Sequence, residues 1–151
     1  MRMSVALQRR PEPERHVLID CPPQLGVLSL NALFACDLLV VPVSADFLAM
    51  QGARSIDHAL KALEPVLKKR LERRYLLTRF DVRRRMCATI AERLMTEFGQ
   101  KDVFETKISE NVNLAESPWL KMDVFEHAPA SRGANNYEAL LAELLGAGLV
   151  H

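Results

Sequence analysis

The hydrophobic pattern of the chain changes period several times. VLID (residues 17–20) and LLVVPVS (residues 38–44) are short, rich in β-branched residues and apolar at consecutive rather than alternate positions. Such runs predict strands covered on both faces of a parallel sheet. RYLLTRF (residues 74–80) and DVFETKIS (residues 102–109) predict two more strands. Between the first two, VLSLNALFACD is apolar at nearly every position and predicts a buried crossover helix. Farther on, Ala53, Ile56, Leu60, Leu63, Leu67 and Leu71 recur at intervals of three and four, one face of an amphipathic helix. Pro65 predicts a kink or restart there, since a helix-interior proline costs about 3 kcal/mol. Met86, Ile90, Leu94 and Phe98 recur every fourth residue, with Gly99 where a C-terminal cap belongs. NYEALLAELLG (residues 136–146) predicts a closing helix with Tyr137, Leu140, Leu141 and Leu144 inward. Trp119, Phe125 and Phe104 read as core, with an interface as the alternative. PEPER reads as a polar turn before the first strand.

Alternating strands and helices with connections of this length predict an α/β fold, a parallel sheet with flanking helices and right-handed crossovers. The 151 residues suffice for one domain with a single sizeable core. No apolar run approaches the roughly 20 residues of a membrane helix. The first sixteen residues lack the apolar stretch of a secretory signal, so a cytoplasmic protein without a membrane partner is expected. Three widely spaced cysteines and four scattered histidines give no disulfide framework and no zinc spacing; they read as small buried cysteines and surface histidines.

Charge changes the picture more than composition does. The net charge is only +1, yet residues 68–85 hold nine basic residues against Glu72 and Asp81. That stretch carries +7 and leaves −6 elsewhere, a local field able to attract polyanions. Lys68, Lys69, Arg70, Arg73, Arg74, Arg83, Arg84 and Arg85 are the candidate residues for holding such a polyanion. Arg83, Arg84 and Arg85 open a helix, where positive charge opposes the helix dipole and adds little stability. No aromatic platform accompanies the run, so base stacking on single strands is not expected.

The candidate chemistry begins at Asp20. In a parallel sheet ligands bind beyond the carboxyl ends of the strands, and an aspartate ending a strand there can take a hydrogen bond from magnesium-bound water. Pro22 and Pro23 stiffen the exit of the chain, and Gly26 would let the backbone pass close to a phosphate. The longer string VLIDCPPQLGVLSLNAL resembles the Walker B strand and following segment of the ParA/Soj chromosome- and plasmid-partition ATPases. The resemblance continues in order through LLVVPVSADFLAMQG, LLTRFDVRRR, VFETKISENVNLAESP and ASRGANNYEALLAELL. It covers residues 17–145, leaving residues 1–16 as an N-terminal extension and 17–151 as a partial domain without Walker A.

That resemblance implies the second half of a P-loop NTPase, Rossmann-like domain, with ATP and Mg2+ as the cofactors of the family. Asp20 would serve magnesium and catalysis, and Pro22, Pro23 and Gly26 the turn that senses the γ-phosphate. Thr78 and Asp81, with Ser109, Glu110 and Asn111, would flank the adenine. Ser109 and Glu110 depart from the family pattern, where proline and arginine are usual, and a carboxylate repels nucleotide phosphates. A phosphate cradle needs a Gly-rich loop with a lysine, and none of the six glycines is followed by lysine. ATP hydrolysis by these residues alone is therefore not expected. The implied partners are non-specific double-stranded DNA on the nucleoid, a ParB-type protein, and a second copy or a full-length relative in a dimer. The alternative is a P-loop-less module that binds DNA or protein and modulates a full-length relative. A nucleotide-dependent oxidoreductase is disfavoured because no G-x-G-x-x-G occurs.

Overall fold

The computed structural model describes residues 2–8, 16–22, 24–67 and 70–150. In chain order these form α1 (Arg2–Gln8), α2 (Val27–Ala35), β1 (Leu38–Ser44), α3 (Phe47–Leu67), β2 (Glu72–Phe80), α4 (Arg85–Phe98), a 3-10 turn (Gln100–Asp102), β3 (Val103–Ser109), α5 (Val112–Leu120), α6 (Val124–His127) and α7 (Arg132–Gly146). The strands make a parallel sheet in the order β1-β2-β3. The architecture is α/β, as the alternation predicts.

Successive residues of β2 face opposite layers. Tyr75 and Leu77 pack with Val41 and Val43 of β1, Met50 and Ala53 of α3, and Ile90 and Leu94 of α4. Leu76 points to the other layer and joins Phe104 and Ile108 against Leu114, Leu140 and Leu144 from α5 and α7. Leu60 and Leu71 gather Leu33 of α2 into a third cluster. The four-residue period of α4 places Cys87, Ile90 and Leu94 inside, and Gly99 ends that helix with φ 93°, as its position predicts.

Several expectations need correction. Residues 17–20 are not a strand: they are irregular, with Val17 and Leu18 exposed. A consecutive apolar run becomes a strand only where neighbours take its backbone groups and two layers take its side chains. Neither is supplied among the described residues. β1 is covered on one face alone, with Val41 and Val43 buried and Val40 and Pro42 exposed. α2 is likewise buried only through Ser29, Ala32 and Leu33, while Val27 and Leu28 are exposed. α3 runs through Pro65 rather than restarting, and ends two residues later; a proline this near the C-terminus interrupts only the last turn.

Trp119 and Phe125 are exposed, and only Phe104 is core. α5 buries Ser117 and half-buries Leu114. Val112 and Trp119 fall on the opposite side of the helix by its 100° step and are forced outward. Of the four predicted inward residues of α7 only Leu140 and Leu144 pack against the sheet; Tyr137 and Leu141 are exposed. Cys21 is exposed, whereas Cys87 is buried and Cys36 half-buried. The PEPER turn lies outside the described residues.

Candidate nucleic-acid interface

β2 carries basic residues at both ends, and the fold treats the two ends differently. At its N-terminal end Arg73 is almost buried. Its Nε lies 3.0 Å from Asp57 Oδ1 and its Nη1 lies 2.9 Å from Glu64 Oε1, both on α3. Lys61 Nζ, 2.8 Å from Asp57 Oδ2, and the Tyr75 hydroxyl, which donates to Asp57 Oδ1 at 3.1 Å, complete the network. Burial alone would raise the Asp57 pKa, but Lys61, Arg73 and Tyr75 together hold it below the ordinary carboxylate value. Burial, reinforced by the Asp57 charge, pushes the Tyr75 hydroxyl up instead. Arg74 donates to the Lys101 carbonyl and pairs with Glu72. Arg73 and Arg74 thus tie the sheet to its flanking elements.

At the C-terminal end the sheet edge is open and charged. β2 pairs with β3 through Phe80 and Ser109, and the Glu110 N–H donates to the Phe80 carbonyl at 3.1 Å. This brings Thr78–Asp81 beside Ser109–Asn111, the two loops that the family resemblance joins. A cleft of about 350 Å³ opens there, lined by Phe80, Asp81, Val82, Arg83, Glu110 and Arg132. Glu110 is shared by two guanidinium groups: Arg79 Nη2 lies 3.2 Å from Oε1 and Arg84 Nη2 lies 3.4 Å from Oε2. Arg83 holds Asp81 through Nε and Nη2 at 3.0 and 2.9 Å. The hydrogen bonds from the Arg83 side chain and backbone, with the Arg83 and Arg84 charges, bring the Asp81 pKa down to about 2.

The remaining site residues have plainer roles. Asn111 caps α5 by accepting from the Asn113 N–H at 2.8 Å. The Ser109 N–H donates to Asn136 of α7 at 3.0 Å. The Thr78 carbonyl accepts from the Ala45 N–H at 3.0 Å. Arg70 and Arg85 are exposed. Lys68, Lys69 and Pro23 lie outside the described residues. Asp20 and Pro22 sit on exposed irregular chain, and Gly26 precedes α2 in an extended conformation with open space where a Cβ would stand. None of these three lines the cleft. Among the described residues no three acidic, histidine or cysteine side chains gather as a metal site. Asp20 is thus not among the residues that line the cleft, whereas Glu110 is.

Sequence reasoning missed Arg132 as a member of the cleft. The signals were present. Ser131 caps α7, accepting from the Ala134 N–H at 3.1 Å. Gly133 lets α7 approach α5 so closely that a Cβ there would lie 2.6 Å from Leu114 Cγ. That contact brings the first turn of α7 to the strand ends.

Comparison with known proteins accords with this architecture. A family model described as an AAA domain matches residues 14–73. The chromosome-partitioning ATPase Soj of Thermus thermophilus is 38% identical over 130 residues, covering 85% of this chain and 52% of that protein. The chromosome partitioning protein ParA of Myxococcus xanthus is 34% identical over 131 residues, 86% of this chain and 46% of its own length. The sporulation initiation inhibitor protein Soj of Bacillus subtilis is 32% identical over 149 residues, 98% of this chain and 58% of its own. The chain spans about half the length of the curated relatives it matches. The ordered motifs, the parallel α/β architecture and these similarities together place the chain in the ParA/Soj-type family of partition ATPases.

Proposed function

We propose that this chain supplies the DNA-holding part of a ParA-type partition protein acting in chromosome or plasmid segregation in the cytoplasm, on the nucleoid. The observation that carries the reading is the exposed basic surface around Arg83, Arg84 and Arg85, joined to similarity with partition proteins over most of the chain. Clustered arginines bind the duplex backbone without sequence preference by releasing its counterions. In this reading ATP and Mg2+ serve a phosphate loop that the 151 residues do not contain, with Asp20, Pro22, Pro23 and Gly26 contributing beside it. Thr78, Ser109 and Asn111 lie at the nucleotide edge, and Asp81 and Glu110 line the cleft beside it. A second copy or a full-length relative completes a dimer, and a ParB-type protein is the partner. Should these residues act without a phosphate loop, the same surface makes them a DNA-binding module that modulates a relative through mixed dimers.

Arg85→Glu tests the DNA-binding part cleanly. Arg85 is the first residue of α4, where a negative charge favours the helix dipole, so the substitution leaves the fold intact. Binding to duplexes of unrelated sequence should weaken for all of them, and the slope of log affinity against log salt should fall by about 1. Unchanged binding, or loss confined to one sequence, would overturn the proposal.

A further inference from the structure

The cleft at the ends of β2 and β3 holds more than the basic run of residues 68–85 accounts for. Arg132 lines it from α7, and beside it Arg79, of the run itself, sits at a bulge near the end of β2. Arg79 takes the left-handed backbone conformation, φ 51°, which is uncommon for a residue other than glycine. A bulge re-aims side chains at a sheet edge, and here Arg79 meets Glu110 across the strand ends. Glu110 itself sits between Arg79 and Arg84, one guanidinium on each carboxylate oxygen.

Resting on the DNA-binding reading above, we propose that this cleft is a phosphodiester site in which Glu110 is a built-in counter-anion, occupying the two arginines that a backbone phosphate would otherwise take. A carboxylate and a phosphodiester each carry one negative charge over two terminal oxygens, so Glu110 presents to Arg79 and Arg84 the same donor demand as a phosphate. The displacement is easy. The side chains of Arg79, Arg84 and Glu110 are 70%, 63% and 38% exposed, and ion pairs so exposed are weak and screened by salt. Asp81 differs, because Arg83 grips both its oxygens and it stays with the protein. Among the described residues Arg132 has no carboxylate partner, and Lys107 stands 5.0 Å from the Phe80 ring centroid, adding positive charge nearby. Arg83 and Arg132 balance Asp81 and Glu110 in the lining itself, and Arg79 and Arg84 beside it make the surroundings positive even before Glu110 swings out.

The test measures binding of a random-sequence duplex, across a salt series, to the wild-type chain, Glu110→Gln and Glu138→Gln. Glu138 is an exposed α7 residue that does not line the cleft, so it controls for a simple change of net charge. Glu110→Gln should bind roughly three- to tenfold more tightly near 0.1 M salt, with a slope steeper by about 1 for each arginine released. Glu138→Gln should match wild type, and about half of the gain should vanish in Arg84→Ala/Glu110→Gln relative to Arg84→Ala, since Arg79 is still released. Equal gains in both glutamine variants, or a Glu110→Gln gain that survives intact without Arg84, overturn the counter-anion role. So does a gain for ATP without one for the duplex. Wild-type binding that Glu110→Gln leaves unchanged overturns this inference alone and leaves the DNA-binding reading standing. No duplex binding by any variant, with normal melting curves, overturns both.

Discussion

The two ends of β2 carry the same chemistry, arginine against carboxylate, in opposite circumstances. At the start of the strand Arg73, Asp57 and Glu64 are enclosed between β2 and α3, with the Tyr75 hydroxyl supplying a further hydrogen bond. At the finish Arg79, Arg83 and Arg84 face solvent with Glu110, and only Asp81 is largely covered. A buried pair loses several kcal/mol of hydration per ion, so removing one partner leaves the other stranded. An exposed pair loses little and can be exchanged. Charge alone therefore does not tell a structural arginine from an available one; enclosure does.

The largest effect should come from breaking the enclosed end. Asp57→Ala leaves Arg73 and the Tyr75 hydroxyl underpartnered and should cost about 3 kcal/mol of unfolding free energy, read from urea midpoints at constant slope. Glu110→Gln at the open end should cost less than about 0.5 kcal/mol. Equal losses at the two ends would erase the contrast.

Next comes the helix contact that carries Arg132 to the open end. Gly133→Ala puts a methyl group 2.6 Å from Leu114 Cγ and should destabilise by about 1–3 kcal/mol through overpacking. Leu114→Ala should remove most of that added cost in the double variant. Purely additive losses would mean that the close approach of α7 to α5 does not limit the packing.

The smallest effect is the pH dependence. Asp57, Asp46 and Asp81 all have folded pKa values below the ordinary 3.8. For Asp46 the leading cause is the Ala49 N–H at the start of α3. A lowered folded pKa means the unfolded chain binds protons first. This stabilisation is therefore fully present above the unfolded value and is lost as pH falls through the folded one. Melting temperatures should hold steady down to about pH 5 and then decline through pH 4 towards 2. Asp57→Asn should flatten that decline. A curve as steep in the variant as in wild type would show that the enclosed network does not couple to acid.

Much of the fold was legible because local pattern sufficed. The fourth-residue repeat of α4, the glycine that ends it and the β-branched run of β1 were readable from their own few residues, since helix and strand periods are local properties of the backbone. The misreadings have a common cause. VLID, Val40, Trp119, Phe125, Tyr137 and Leu141 are hydrophobic, but burial requires a neighbouring layer, and the described fold supplies none at those positions. The candidate site was legible only in halves. Thr78–Asp81 and Ser109–Asn111 could be named as strand-end loops, and they do meet. That Arg79 and Arg84 share Glu110 across 26–31 residues of sequence could not be seen.

The sequence by itself determined the alternation of elements, the likeness to partition ATPases and the presence of a basic stretch, because these reside in residue order and composition. Only the tertiary structure decided which of those charges are spent. Parallel pairing of β2 with β3 and the close docking of α7 set the distances between residues far apart in the chain. Distance and solvent access, which residue order does not specify, turned Arg73 into a structural tie while leaving Arg83, Arg84 and Arg85 facing solvent.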